Sequence, residues 1–555
     1  MIFSSFFSLL FTLFYILLFK CFLFEDSISF NSDISIINFI LDRQSLWTFT
    51  RILFIFLSVF CTFLIFYRIF NFLFGDFVEV PTGYKVPSEG LLVGKSLNGE
   101  NIYISDKSLY KNILVTGSIG SGKTSSCMYP FTRQLISYKA NDFAKKLGFL
   151  ILDVKGNYFL KVLSFAKEVS RLEDVIVIEV GGFYKYNPLD KPDLPSYILA
   201  NRLKTILLLF SPNNTESYWI DKAEQILECM IDFCRLYNNN YVSFQEIHNL
   251  VSDRNYYLKK CKVVREIFLD NKFSDKDCYL LNHAISFLEN DFYSLDDRNH
   301  NLLKSEITRI TDLFVSDYDV NKTFCPARSE INFYGFKDVI DSGKIVVLNM
   351  NIAKFKNLSK VIAAYLKLDF QTEVLSTLAS EDLNKIERTT CFISDEYQEY
   401  VTSSDADFFS QSREAKCINI VSTQSYTSII NALNNQNSAK VIIQNLVNKF
   451  WFRSDDIFTI EDAQKQIGKE EKKRTSKTIS ENARGSSYSL ISHKFFSDDS
   501  SLSESVNSYF QNDFIYDYNF FTQKLKTFSS LSFLSDDDST RVLELNMLPY
   551  FLNNK

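Results

Sequence analysis

The run Lys111-Asn-Ile-Leu-Val-Thr-Gly117-Ser118-Ile119-Gly120-Ser121-Gly122-Lys123-Thr124 restricts the possible folds of this chain more than any other segment. Ile113 to Val115 is a short apolar strand. It enters a loop holding three of the chain's 16 glycines, and a helical stretch begins near Lys123 and continues through Ser125. Gly-x4-Gly-Lys-Thr between a strand and a helix is the Walker A pattern. The glycines let backbone N–H groups curl around a phosphate at the positive end of a helix. The spacing gives Lys123 the β- and γ-phosphate oxygens and gives Thr124 a hydroxyl for Mg²⁺. The expected cofactors are therefore ATP and Mg²⁺, on an α/β P-loop fold.

A P-loop also needs a carboxylate at the end of a neighbouring strand, and two segments offer one. Phe149-Leu-Ile-Leu-Asp153-Val-Lys155-Gly156 ends in a lone aspartate. Cys391-Phe-Ile-Ser-Asp395-Glu396 ends in a pair. The pair suits the chemistry better, because Asp395 can support the metal while Glu396 polarises the attacking water. Downstream, the strand Ile418 to Val421 ends at Gln424, which is placed to sense the γ-phosphate. Arg413 reads either as an ordinary surface arginine or as an arginine finger reaching into a neighbouring subunit.

The 555 residues suggest two or three domains. A hydrophobic content of 46% describes a foldable chain, and the net charge of −6 confines any nucleic-acid contact to local surfaces. Ten cysteines without a C-x-x-C pair, and only four histidines, argue against a disulfide framework or a zinc site. Met1 to Phe19 is uncharged, and a second apolar run extends from Ile52 to Phe74, interrupted by Arg68. Each approaches the roughly 20 residues that span a bilayer, so residues 1–75 read as a transmembrane hairpin that anchors a large cytoplasmic body at the cell (inner) membrane. From Ser196 to about Val320 the apolar residues recur at helical spacing, with Trp219 to Phe233 the clearest case. The expected order is an anchor at 1–75, first motor part at 76–195, all-α insertion at 196–330 and second motor part at 331–468. A mobile charged and serine-rich linker at 469–510 follows, although Lys472, Lys473, Arg474 and Lys477 are able to touch a phosphate backbone. Residues 511–555 read as a segment returning to the motor sheet.

Taken in order, these segments resemble the type IV secretion coupling proteins, the TraG/TraD-like conjugation ATPases. The resemblance rests on Gly117 to Thr124 with Pro130, Asp153-Val-Lys155-Gly156, Tyr186-Asn-Pro188-Leu189 and Ser342 to Asn349. It continues through Asp395-Glu396, Arg413 with Gln424, and Asn445 to Phe452 ahead of Gln466-Ile-Gly468. It departs from the family pattern at Asn157, where an acidic residue often follows Lys-Gly, and over 469–510. The resemblance implies a RecA-like motor with an inserted all-α domain behind a membrane hairpin, assembling as a homo-hexamer. It also implies DNA, a relaxase–DNA complex or effector proteins as cargo, and channel components and membrane lipid as partners. Two other functions fit the same residues: a membrane-anchored chromosome-segregation translocase, and a nucleotide-gated docking receptor for secreted proteins.

Overall fold

In a computed structural model, residues 85–555 form one compact unit. The structure describes residues 90–552 except 211–216, 271–273, 380–387, 483–486, 490–493, 497–500 and 537–538, together with Ser45, Leu46, Thr48, Phe49 and Ile52. The hairpin expected at 1–75 lies outside the described residues apart from those five. Among the described residues no helix is long and apolar enough to cross a membrane.

The strands follow the chain as β1 (Leu91–Ser96), β2 (Asn101–Ile104), β3 (Ile113–Thr116), β4 (Gly148–Leu152) and β5 (Val175–Ile178). Next come β6 (Ile345–Leu348), β7 (Thr390–Ser394), β8 (Cys417–Thr423) and β9 (Asn448–Trp451). The last six are β10 (Lys469–Asn482), β11 (Ser487–Ser489), β12 (Lys494–Phe496), β13 (Ser501–Phe514), β14 (Ser529–Ser535) and β15 (Thr540–Asn546). Eleven of them make one sheet in the order β2-β1-β15-β14-β9-β3-β8-β7-β4-β6-β5. From β9 to β5 all neighbours are parallel, whereas β14, β15, β1 and β2 are added antiparallel at one side.

The parallel strands are continuous apolar runs because both faces of the sheet are covered. Alternate residues divide between two cores. Leu114, Leu150, Leu152, Val346 and Leu348 face the core shared with the helical region, and Ile113, Val115, Phe149, Ile151 and Val347 face the other. Between β5 and β6 the chain is helical, from Ser196–Leu209 to Tyr318–Phe324. Local signals set these boundaries: the Ser243 side chain accepts from the Glu246 amide, and Ser274 and Asp277 form a reciprocal capping box.

One segment differs from the sequence expectation, and the position of another within the sheet was not anticipated. Residues 469–510 are not a bare linker, since β10 and β13 pair antiparallel along their full 14-residue length. Charge and serine content suggested solvated coil, but pairing is decided by residues far apart in sequence, such as Arg474 and Asp513, joined at 2.6 Å. In addition, β14 and β15 lie inside the sheet, between β9 and β1.

Candidate nucleotide site

Parallel strands bring their C-terminal ends to one edge, which is where this site forms. β3 delivers Gly117 to Lys123, β8 delivers Gln424 and β7 delivers Asp395 and Glu396. Because β8 lies between β3 and β7, Gln424 stands between the loop and the acidic pair. The loop turns directly into a single wide helical turn, Thr124–Met128, continued by helix Tyr129–Ser137.

The loop is held from several sides. The Gly117 amide donates to Gln424 O at 3.3 Å, and the Ser118 amide and hydroxyl both donate to Arg453 O, at 2.8 and 3.0 Å. The Ser121 hydroxyl donates to Ser118 O at 2.8 Å, while Ser125 and Ser126 donate to Gly122 O. Ile119, at the tip, is exposed, and a Cβ on Gly120 would meet nothing within 4 Å, so that side of the loop is open. Gly122 is required twice over. Its φ is 101°, and a Cβ there would lie 2.5 Å from the Phe528 ring. The buried Lys123 ammonium turns inward onto Gly117 O and, at 3.2 Å, Ser118 O. Burial lowers its pKa, with Glu396 and Asp395 opposing that shift. Phosphate oxygens are the natural counter-charge for an ammonium held in such a ring of peptide groups.

The two carboxylate candidates separate clearly. Asp153 accepts from the Lys155 amide at 3.2 Å and from the Asn157 and Tyr158 amides at 3.1 and 3.2 Å, which caps helix Tyr158–Glu168. Asp395 accepts from the Thr124 hydroxyl at 2.9 Å and is 1% exposed. Burial raises its pKa, Lys155 and the Thr124 hydroxyl oppose that rise, and Glu396 and Asp153 add to it. A buried carboxylate of this kind beside a hydroxyl suits a hard cation that takes its other ligands from water and phosphate. Among the described residues no cluster of three His, Cys, Asp or Glu offers an all-protein metal cage.

Glu396 adopts φ 53°, a left-handed conformation that a residue with a side chain avoids unless its surroundings enforce it. Its Oε2 accepts from Gln398 Nε2 at 2.8 Å and from Gln424 Nε2 at 3.3 Å, and its Oε1 lies 3.8 Å from Lys155 Nζ. Gln398 is held in turn by the Thr423 hydroxyl at 2.8 Å. The structure thus brings together Gly117 to Ser125, Asp395, Glu396 and Gln424.

Arg413 is not among them. It is exposed on the turn before β8, so it sits at the edge where the parallel strands begin, one strand length from the loop. Sequence reasoning named Lys155 within its loop without a role, and missed Gln398, the Arg453 carbonyl and the later residues that line the loop. Phe528 donates its amide to Ser121 O at 3.1 Å, and Tyr550 donates its own to Ser125 O at 3.0 Å. Only Gln398 carried a usable signal, as an amide two residues beyond the acidic pair.

No family model and no curated protein matches this sequence. Solved structures do match. The plasmid coupling protein TrwB in complex with ADP and Mg²⁺ aligns with a TM-score of 0.53 at 12% identity, over 83% of this chain and 91% of that one. The same protein with a non-hydrolysable ATP analogue aligns at 0.51 and 11%, over 83% and 90%. VirB4 of Thermoanaerobacter pseudethanolicus aligns at 0.46 and 14%, over 84% and 99%. At the identities seen for TrwB the likeness is one of fold alone.

Proposed function

We propose that this chain is a membrane-anchored ATPase that drives DNA or nucleoprotein into a type IV secretion channel. The observation that carries the reading is the bond from the Thr124 hydroxyl to Asp395 with Glu396 tethered beside it. A passive nucleotide binder has no need of the strained glutamate.

The roles follow from the contacts. Lys123 and the loop amides would hold the triphosphate of ATP, and Thr124 and Asp395 would hold Mg²⁺. A Mg²⁺ ion held there would supply charge that offsets the phosphate oxygens. Glu396 accepts the proton of the attacking water, and Gln398 and Gln424 fix the direction of its carboxylate. Gln424 links this carboxylate to the loop through its own carbonyl, so a change at either is felt by the other. Arg413 acts on a neighbouring subunit's nucleotide, in keeping with its place away from its own site. The coupling-protein fold and the apolar runs in residues 1–75 support a homo-hexameric ring at the inner membrane, with a relaxase–DNA complex or effector protein as cargo.

Glu396→Gln tests the reading through ATP turnover of the full chain. Loss of a positioned base lowers kcat by about a hundredfold or more, with ATP still bound. Unchanged turnover removes Glu396 from the role of base, and a parent chain that binds ATP without turning it over refutes the motor and leaves a nucleotide-gated dock.

A further inference from the structure

Asp153 caps helix Tyr158–Glu168, which leaves the lysine of Asp153-Val-Lys155-Gly156 without a structural task. The turn that carries Lys155 is fixed from both sides. Its amide donates to Asp153 Oδ1 at 3.2 Å, its carbonyl accepts from Asn351 Nδ2 at 2.7 Å, and the Val154 carbonyl accepts from the Ile352 amide at 3.0 Å. Gly156 completes the turn at φ 67°, where a Cβ would lie 3.0 Å from the Asn351 nitrogen. The side chain is held far less firmly. It is 54% exposed, and its Nζ lies 3.8 Å from Glu396 Oε1. An ion pair that long and that wet contributes little to stability. By contrast, the fully buried Lys367 and Asp405 stand 2.6 Å apart. A rigid backbone thus presents an ammonium that can leave its partner at small cost.

The sheet order β3-β8-β7-β4 puts Asp395 and Glu396 between the phosphate loop and the Lys155 turn. Burial raises the pKa of Asp395, and Lys155 is the charge that most opposes the rise. Burial lowers the pKa of Lys123, and Lys155 adds to that effect against the pull of Glu396 and Asp395. Two ammonium groups therefore act on the acidic pair, Lys123 from beneath the loop and Lys155 from the β4 side. A water activated by Glu396 has to lie about 3 Å from that carboxylate and about 3–3.5 Å from the γ-phosphorus. An ammonium 3.8 Å from Glu396 Oε1, on a flexible four-carbon stem, has the γ-phosphate oxygens within its reach.

We infer that Lys155 is a second phosphate-binding cation of this site, which contacts the γ-phosphate and so distinguishes a triphosphate from a diphosphate. Without a γ-phosphate its ammonium rests on Glu396. With one it moves onto the phosphate oxygens, and Glu396 Oε1 is left to accept from water. Charge that grows on those oxygens during transfer is then met by a cation already in place. This cation belongs to the same subunit and adds to the one that Arg413 would bring from a neighbour. The inference rests on the motor reading and deepens it, by giving the Asp153 to Gly156 turn a part in the chemistry.

The test uses the full chain in detergent, with fluorescent mant-ADP and a mant-labelled non-hydrolysable ATP analogue as probes, each with Mg²⁺. The parent prefers the triphosphate analogue to ADP. Lys155→Met cuts that preference about tenfold or more, since a hydrogen bond to a charged group is lost, while its affinity for ADP stays within about twofold of the parent. Its kcat for ATP falls about a hundredfold. Lys155→Arg, which keeps the charge, keeps most of the preference. An unchanged preference in Lys155→Met overturns the inference even if kcat falls, because Lys155 would then act only on the orientation of Glu396. Equal weakening of ADP and the analogue also overturns it, as the effect would be a general one on the loop. So does a parent with no preference between the two probes. If the parent binds both probes but does not hydrolyse ATP, the motor reading fails while the preference still decides the role of Lys155. If it binds neither, the nucleotide site itself fails first, and the inference falls with it.

Discussion

Lys449 sits on β9 with 4% exposure, its ammonium donating to Gln466 Oε1 at 3.0 Å. Burial pushes its pKa from 10.5 down to about 8, with Asp462 opposing the shift. Between those values the unfolded chain holds a proton that the folded chain has released, so stability attributable to this residue rises with pH. The interval corresponds to about 3 kcal/mol. Lys449→Met is therefore more stable than the parent at pH 7, and its advantage shrinks as pH climbs from 8 to 10.5. Thermal melts of both proteins across that window check this, and a constant difference refutes it. At this scale the site was legible where chemistry demands particular residue types in sequence. Gly117 to Thr124 and Asp395-Glu396 are of that kind. Asp153 was distinguishable only once its oxygens were seen to be taken by three amides. Lys155 stood in a quoted motif without a role, because its proximity to Glu396 depends on two strands folding side by side.

Helix Asn357–Ser376 carries two buried charges, Lys367 and Asp369, two residues apart and so on roughly opposite faces. Lys367 pairs with Asp405 at 2.6 Å, both fully buried, and also donates to Tyr400 O and Thr402 Oγ1. Asp405 accepts from the Tyr397 hydroxyl as well, directly beyond Glu396. Asp369 takes Lys191 at 2.7 Å, Arg202 at 3.0 Å and the Tyr186 hydroxyl at 2.8 Å, at the root of the helical insertion. Burial lowers the pKa of Lys367, against the pull of Asp405. For Asp369, burial alone would raise the pKa, but Lys191 and Arg202 prevail and lower it. One helix thus joins the insertion to the loop that bears Glu396, the base in the proposed mechanism. Lys367→Met leaves Asp405 buried and unpaired and costs about 3–5 kcal/mol. Adding Asp405→Leu recovers most of that loss, yet kcat stays depressed because Tyr397 has lost its acceptor. Melting and ATP turnover of the single and double variants separate the two effects, and full recovery of kcat would make the pair purely structural. The helices of the insertion were readable from periodicity, Trp219 to Phe233 above all, whereas Asn357–Ser376 is buried on nearly all sides and carries little such mark. The β10–β13 ribbon was not readable, because a strand in water without a core beneath it shows no apolar alternation, only partners across the ribbon.

Across the whole molecule the sheet is closed by distant parts of the chain. β1 joins it only through β15, with Lys95 opposite Asn546 and Ser96 opposite Leu545. Leu545 is 1% exposed and packs in the same core as Leu91, Val93 and Leu109. Leu545→Ala costs about 2–5 kcal/mol. It loosens residues 91–104 first, read as faster amide exchange there than in the helical insertion. Uniform acceleration across the chain would contradict this. The sequence suggested that residues 511–555 return to the sheet, but not that β14 and β15 would be interior strands, since antiparallel insertion between β9 and β1 leaves no periodic mark of its position.

The amides of Phe528 and Tyr550 complete the shell of the phosphate loop, although the loop itself lies some four hundred positions earlier. A ribosome therefore makes the grip on nucleotide long before it makes the braces that steady it. Until those later segments emerge, the Ser121 and Ser125 carbonyls lack these two amide donors and β9 lacks its antiparallel neighbour.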